Sequence, residues 1–200
     1  MKLIKLKLLV IAAIMFAASA ASASLSTYAV SIDTSSLIGT SGALDFQFNP
    51  ANSTGFTTAT AGISGFTGGT LSSPVLTGDG SGTLPSSVTL NNTTQYNDYF
   101  TNYTFGNSIK FNLSLSGALG NSFTFSMFSD AAGSSPALTS DTTDGYALRL
   151  DINQNGNAIT NNIPTNISSS VTPTPIPPSM LLFASGLSGM FFMKRKKTAA

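Results

Sequence analysis

The chemistry open to this sequence rests on eight Asp residues, because Glu, His, Cys and Trp are all absent. The run Asp151-Ile152-Asn153-Gln154-Asn155-Gly156-Asn157 sets oxygen-bearing side chains at its first, third and fifth positions and then a glycine. Carboxylate and amide oxygens at that spacing suit a hard cation, so Asp151, Asn153 and Asn155 are candidate calcium ligands. The Glu that would close such a loop falls at Asn162, and Asn155-Gly156 is also a favoured hairpin turn. Asp130, Asp141 and Asp144 would join the site only if the fold gathers them. No other cofactor is expected.

A second constellation is the aromatic segment QYNDYFTNYTF. Exposed rings of Tyr96, Tyr99 and Tyr103 would stack on sugar rings, with Asn97 and Asp98 bonding hydroxyls. The alternative is a core strand, since Tyr and Phe favour strands. Tyr99, Tyr103 and Phe105 share one parity, as a buried face requires, and that reading is preferred. Asp141 and Asp144 are the closest carboxyl pair for acid–base work, but Asp144-Gly145 also reads as a turn.

The missing residue types exclude much else. Cysteine nucleophiles, Ser-His-Asp triads, His or Cys zinc sites and disulfides are impossible in this chain. No catalytic role is expected. Charge is unevenly spread: Lys2, Lys5 and Lys7 precede the first apolar run, and Lys194, Arg195, Lys196 and Lys197 follow the last. Between Ser24 and Pro178 only Lys110 and Arg149 oppose all eight Asp, a net charge of −6. A stretch without a basic face does not neutralise phosphates, so no nucleic-acid partner is expected.

The elements that must position these residues are strands. In SIKFNLSLSG, Ile109, Phe111, Leu113 and Leu115 share one face, and Lys110, Asn112 and Ser114 take the other. Phe123, Phe125 and Met127 align likewise, as do Tyr146, Leu148, Leu150 and Ile152. Shorter candidates are Tyr28 to Ile32, Leu44 to Phe48, Val88 to Leu90 and Tyr99 to Phe105. A period of two buries one face of a sheet and wets the other. Gly68-Gly69, Gly78-Asp79-Gly80 and Ser81-Gly82 read as punctuation in a looser stretch. Many short strands between turn signals predict an all-β domain over residues 24–160, an antiparallel β-sandwich or jelly roll. Residues 161–178 are rich in Pro, Ser, Thr and Asn and read as an extended spacer.

Both ends read as addresses. Three lysines, the apolar run Leu8 to Ala18, and then Ala21-Ser22-Ala23 before Ser24 read as a secretory signal peptide over residues 1–23, with a cut after Ala20 as the near alternative. Its partners are the Sec translocon and signal peptidase. At the other end, residues 179–193 form an uncharged membrane helix and residues 194–200 a basic cytoplasmic tail. From Met180 to Met193 the helix spans roughly 21 Å, short against a hydrocarbon core of about 30 Å. The basic cluster keeps that end in the cytoplasm and the domain outside.

Pro175-Ile176-Pro177, the run Leu182-Phe183-Ala184-Ser185-Gly186-Leu187-Ser188-Gly189 and the basic residues Lys194 to Lys197 together resemble a PEP-CTERM sorting signal. The likeness is closer to the variant that begins Val-Pro-Leu-Pro-Ala, with Ile176 standing where the better-known form has Glu. The resemblance implies processing near Pro175 to Pro177 by a membrane-embedded exosortase. It also implies delivery to the cell surface or medium and association with exopolysaccharide and biofilm. Ile32-Asp33-Thr34-Ser35, Leu44 to Pro50, Gly82-Thr83-Leu84-Pro85, Asn97-Asp98-Tyr99-Phe100 and Gly106-Asn107-Ser108 are similar to a family of small PEP-CTERM proteins without an assigned activity. That likeness carries over no catalytic residue. The expectation is an exported, structural surface or matrix protein, with a glycan-binding module, calcium-assisted or not, as the alternative.

Overall fold

The computed structural model describes residues 26–50, 58–117, 120–141, 143–152, 158–161 and 169–173. The expected signal peptide, the sorting motif with its helix and basic tail, and Asn153 and Asn155 lie outside the described residues. No helix among the described residues is long and apolar enough to cross a membrane.

The alternating segments form strands, and the strands sort into two six-stranded antiparallel sheets. The first sheet contains β1 (Ser26–Asp33), β3 (Ala59–Thr67), β5 (Gly80–Thr83), β6 (Ser87–Asn91), β8 (Ser108–Gly117) and β12 (Ser169–Pro173), in the order β12-β1-β8-β3-β6-β5. The second contains β2 (Ser41–Pro50), β4 (Thr70–Thr77), β7 (Asp98–Thr104), β9 (Asn121–Phe128), β10 (Tyr146–Ile152) and β11 (Ala158–Asn161), in the order β11-β10-β9-β2-β7-β4. One 3-10 turn, Ser35–Leu37, joins β1 to β2.

Register decides which side chains meet. Val30 lies opposite Phe111 and Ile32 opposite Ile109, so the apolar positions of β1 and β8 share a face. In the second sheet Phe46 lies between Phe125 on one side and Tyr99 on the other. The two apolar faces meet in a sandwich. Phe111 from the first sheet stands 5.4 Å, centroid to centroid, from both Phe46 and Phe125 of the second, in edge-to-face geometry. Phe66 and Tyr103 bridge the sheets in the same way at 6.0 Å. Such pairs add to area burial because a ring edge meets a ring face.

A polar clasp joins the layers at one end. Asn92, just past β6, donates from Nδ2 to Oδ1 of Asn121 on β9 at 2.6 Å. Its own Oδ1 accepts from the Ala59 amide at 2.8 Å. Both asparagines are buried, so each bond satisfies a group that water does not reach.

Composition and fold part company in two places. The glycine-punctuated stretch from Gly68 to Gly82 carries β4 and β5 rather than open loop. Ser169–Pro173, inside the predicted spacer, is β12, paired with β1 through Val30 and Val171. An edge strand needs its backbone more than its side chains, so Ser, Thr and Gly serve there. The sandwich therefore continues to Pro173, two residues short of Pro175.

Candidate functional site

On β2 the inward residues are Leu44, Phe46 and Phe48, which leaves Asp45, Gln47 and Asn49 on the outer face of the second sheet. On β7 the inward residues are Tyr99, Thr101 and Tyr103, which leaves Asp98, Phe100 and Asn102. Gln47 pairs with Asp98 and Asp45 with Phe100, so the two carboxyl groups are diagonal neighbours on one face. Diagonal pairs of this kind lie about 7–8 Å apart at Cα.

That outer face is covered, unlike the usual wet side of a sheet. The loop Ser129 to Ser135, closed by the Ser129 amide to the Ser135 carbonyl at 2.9 Å, reaches the outward ring of Phe100 through Gly133. Gly133 sits against the rings of Phe100 and Phe128; a Cβ there would come within 2.8 Å of Phe100. Its φ of +72° adds a second reason for glycine. Beside this cover Asp45 keeps 7% of its surface exposed and Asp98 6%.

The groups around the pair are polar and mostly spoken for. Gln47 Nε2 donates to Asp45 Oδ2 at 2.5 Å and, more loosely, to Tyr96 Oη at 3.4 Å. Asn49 Nδ2 donates to Gln47 Oε1 at 3.1 Å, and the Asn97 amide donates to Asn49 Oδ1 at 2.8 Å. Thr77 of β4 bonds Asp98 through both backbone and side chain. One oxygen of each carboxyl, Oδ1 of Asp45 and Oδ1 of Asp98, is buried with no protein partner. Asn102 Oδ1 on the same strand face shares that condition.

The electrostatics follow from this burial. Desolvation pushes Asp45 up to about 6, against the pull of its Gln47 hydrogen bond and with a further push from Asp98. Asp98 is raised as well, by burial against the two Thr77 bonds. Tyr96 is pushed up to about 12, first by partial desolvation of a side chain that stays half exposed and then by the charges of Asp45 and Asp98. Tyr146 of β10 is raised by burial and feels Asp144, Arg149, Asp141 and Asp45.

The five candidates for sugar binding do not form a surface row. Tyr99 and Tyr103 are core residues, at 1% and 2% exposure. Tyr99 Oη accepts from the Leu84 amide at 3.2 Å, and Tyr103 Oη accepts from the Gly69 amide. Asn97 is fully buried and works as a strut: its Nδ2 donates to the carbonyls of Phe48 and Thr94, and its Oδ1 accepts from the Asp79 amide. Asp98 is buried on the outer face. Tyr96 alone of the five is exposed, at 47%. The strand period explains the split, since alternate residues turn inward and the loop residue Tyr96 lies before β7 begins.

The other candidates are engaged locally. Asp151 Oδ1 accepts from Arg149 Nε at 3.0 Å and from Ser122 Oγ. Asp130 accepts from the amides of Ala132, Ser134 and Ser135 in its own loop. Although desolvation pushes upward, the Ser134 and Ser135 bonds hold it below the usual carboxylate range. Asp141 accepts from the Asp144 and Thr143 amides, which lower it. Among the described residues no three acidic side chains gather into a metal-binding group. Asp45 and Gln47 went unnoticed in the sequence because their parity marks them as ordinary outward residues.

Comparisons with protein-family models, with curated proteins and with solved structures each return no match.

Proposed function

We propose that this chain is the precursor of an exported, non-catalytic β-sandwich, delivered to the cell surface or medium through its C-terminal sorting segment. Its role is structural, in the exopolysaccharide or biofilm matrix. The observation that carries the reading is the pair of termini: a basic-then-apolar leader ending at Ala23, and a Pro-x-Pro motif, short apolar run and basic stop from Pro175 to Lys197. Sec translocon, signal peptidase and an exosortase-type enzyme are the partners this implies, with transient anchoring in the inner membrane by the tail helix.

Three further facts support it. The acidic, weakly charged middle suits a soluble exported domain. Of the two carboxyls considered for acid–base work, Asp141 is tied down by the amides of Thr143 and Asp144 in its own loop. Lastly, β12 ends at Pro173, so a cut near Pro175 to Pro177 keeps both sheets whole in the product.

Fractionation in the native host tests the proposal. The unsubstituted protein is expected at the cell surface or in the medium. With Lys194, Arg195, Lys196 and Lys197 all replaced by Ala, the stop signal is lost. That variant should fail to be processed, and at least a tenfold smaller share should reach the surface. Equal distribution of the two proteins would contradict the proposal.

A further inference from the structure

We propose that the outer face of the second sheet holds a hard divalent cation between Asp45 and Asp98, a site distinct from the loop that begins at Asp151. Register and burial carry the argument. Asp45 and Asp98 are diagonal neighbours on adjacent strands β2 and β7. Each is more than nine-tenths buried, and each has a carboxyl oxygen with no protein hydrogen bond. A buried charge is stable when paired or bound to a metal, and costly otherwise.

Among the described residues no counter-charge stands beside the pair. Of the two basic side chains among the described residues, Arg149 is bonded to Asp151 at 3.0 Å. Lys110 is exposed on β8 of the opposite sheet. The unsatisfied atoms are all acceptors: two carboxylate oxygens, with the Asn102 amide oxygen further along the same strand face. What completes such a set must bring positive charge or donors. A sugar ring is too large to reach oxygens buried beneath the surface. A monatomic ion is not.

The donor types choose the metal. Oxygen alone, in a chain without His or Cys, favours calcium or magnesium over zinc or copper. Two carboxylates make a weak site, in the range of about 10⁻⁴ to 10⁻³ M typical of extracellular modules. Calcium at that level is found outside cells, which agrees with export, but the site stands on the sheet face whether or not the export proposal holds.

The test is thermal unfolding of the full chain in mild detergent at pH 7.5, stripped with EDTA and titrated with calcium chloride at constant ionic strength. A saturable rise in Tm of roughly 4–8 °C by 10 mM calcium is expected. Asp45→Asn and Asp98→Asn should each abolish the rise, while Asp151→Asn keeps it. No rise in the unsubstituted chain overturns the proposal, as does a rise that survives Asp45→Asn or Asp98→Asn. A rise lost in Asp151→Asn also overturns it, in favour of the loop. Should a variant not fold, the unsubstituted chain answers alone. Terbium emission sensitised by the flanking Tyr96 and Tyr146 and displaced by calcium supports the site, and absence of that emission overturns it.

Discussion

Phe46→Ala is expected to destabilise the sandwich by about 4 kcal/mol, the loss that removing a fully buried ring leaves behind as transfer energy and cavity. Phe46 has no exposed surface. It packs against Phe125 at 4.7 Å, Phe111 at 5.4 Å, Tyr99 at 6.2 Å and Phe66 at 6.4 Å, so residues of both sheets converge on it. Truncation removes the contact that holds one sheet to the other at their centre. Domains of this size are stable by roughly 5–15 kcal/mol, so the variant should sit near the edge of folding. Urea unfolding followed by circular dichroism measures it. Phe46→Leu, which keeps most of the volume, should cost only about 1 kcal/mol. Val75→Ala, at an edge position with 57% exposure, should change stability by less than about 0.5 kcal/mol. A Phe46→Ala variant losing no more than the Val75→Ala control would mean that the sheets do not meet at that ring.

Asp45→Asn should do the opposite and stabilise the cation-free protein at neutral pH. The sign follows from the raised carboxyl. Its value moves from 3.8 to about 6 on folding, so the folded chain holds the proton more tightly than the unfolded chain. Below pH 3.8 both states are protonated and Asp45 carries no penalty. As pH rises through 3.8 to 6 the unfolded carboxyl ionises first, and stability falls. Above 6 the penalty is complete, about 3 kcal/mol from the size of the shift. Asn, neutral at every pH, removes it. Asp98, Tyr96, Tyr146 and, beyond them, Arg149 face or surround the group, and of these Asp98 titrates in the same direction. With EDTA present, Asp45→Asn is therefore expected to be more stable than the unsubstituted chain by about 2–3 kcal/mol at pH 7.5 and nearly equal to it below pH 4. Urea titrations at the two pH values check this. A difference that does not change with pH would show that burial of the charge is not what costs stability here.

The best-patterned elements were legible from residue types alone. In β8 and β9 the apolar period of two points to strands, and their register then places Phe111 and Phe125 where the sheets touch. Tyr28 to Ile32, Leu44 to Phe48 and Val88 to Leu90 likewise fall on β1, β2 and β6, and Tyr99 to Phe105 overlaps β7, which ends one residue earlier at Thr104. The edges were not legible. β4 has scarcely any buried face, and β5 is Gly-Ser-Gly-Thr, so neither carries a hydrophobic period to read. In β3 the alternation is broken between Ser64 and Thr67, where the pairing with β8 shifts. β12 lies in Ser- and Thr-rich sequence whose strand character comes from pairing with β1.

The candidate site failed to show for a related reason. Alternation tells which face Asp45 and Asp98 occupy, not whether that face is covered. The groups that crowd this face, Asp98 beside Asp45 and Gly133 against Phe100, are distant in sequence from Asp45. Periodicity is local and burial is not. Tyr96 shows the converse, since its aromatic character suggested a ligand surface and only its place before β7 keeps it exposed.

Under the proposed function the domain is exported and trimmed at both ends. Intact mass spectrometry of the protein recovered from the surface or medium of its native host tests that most directly. The expected product begins at Ser24 and ends near Pro175 to Pro177, with both sheets retained. A mass that still includes Met1 to Ala23, or Met180 to Ala200, would contradict it.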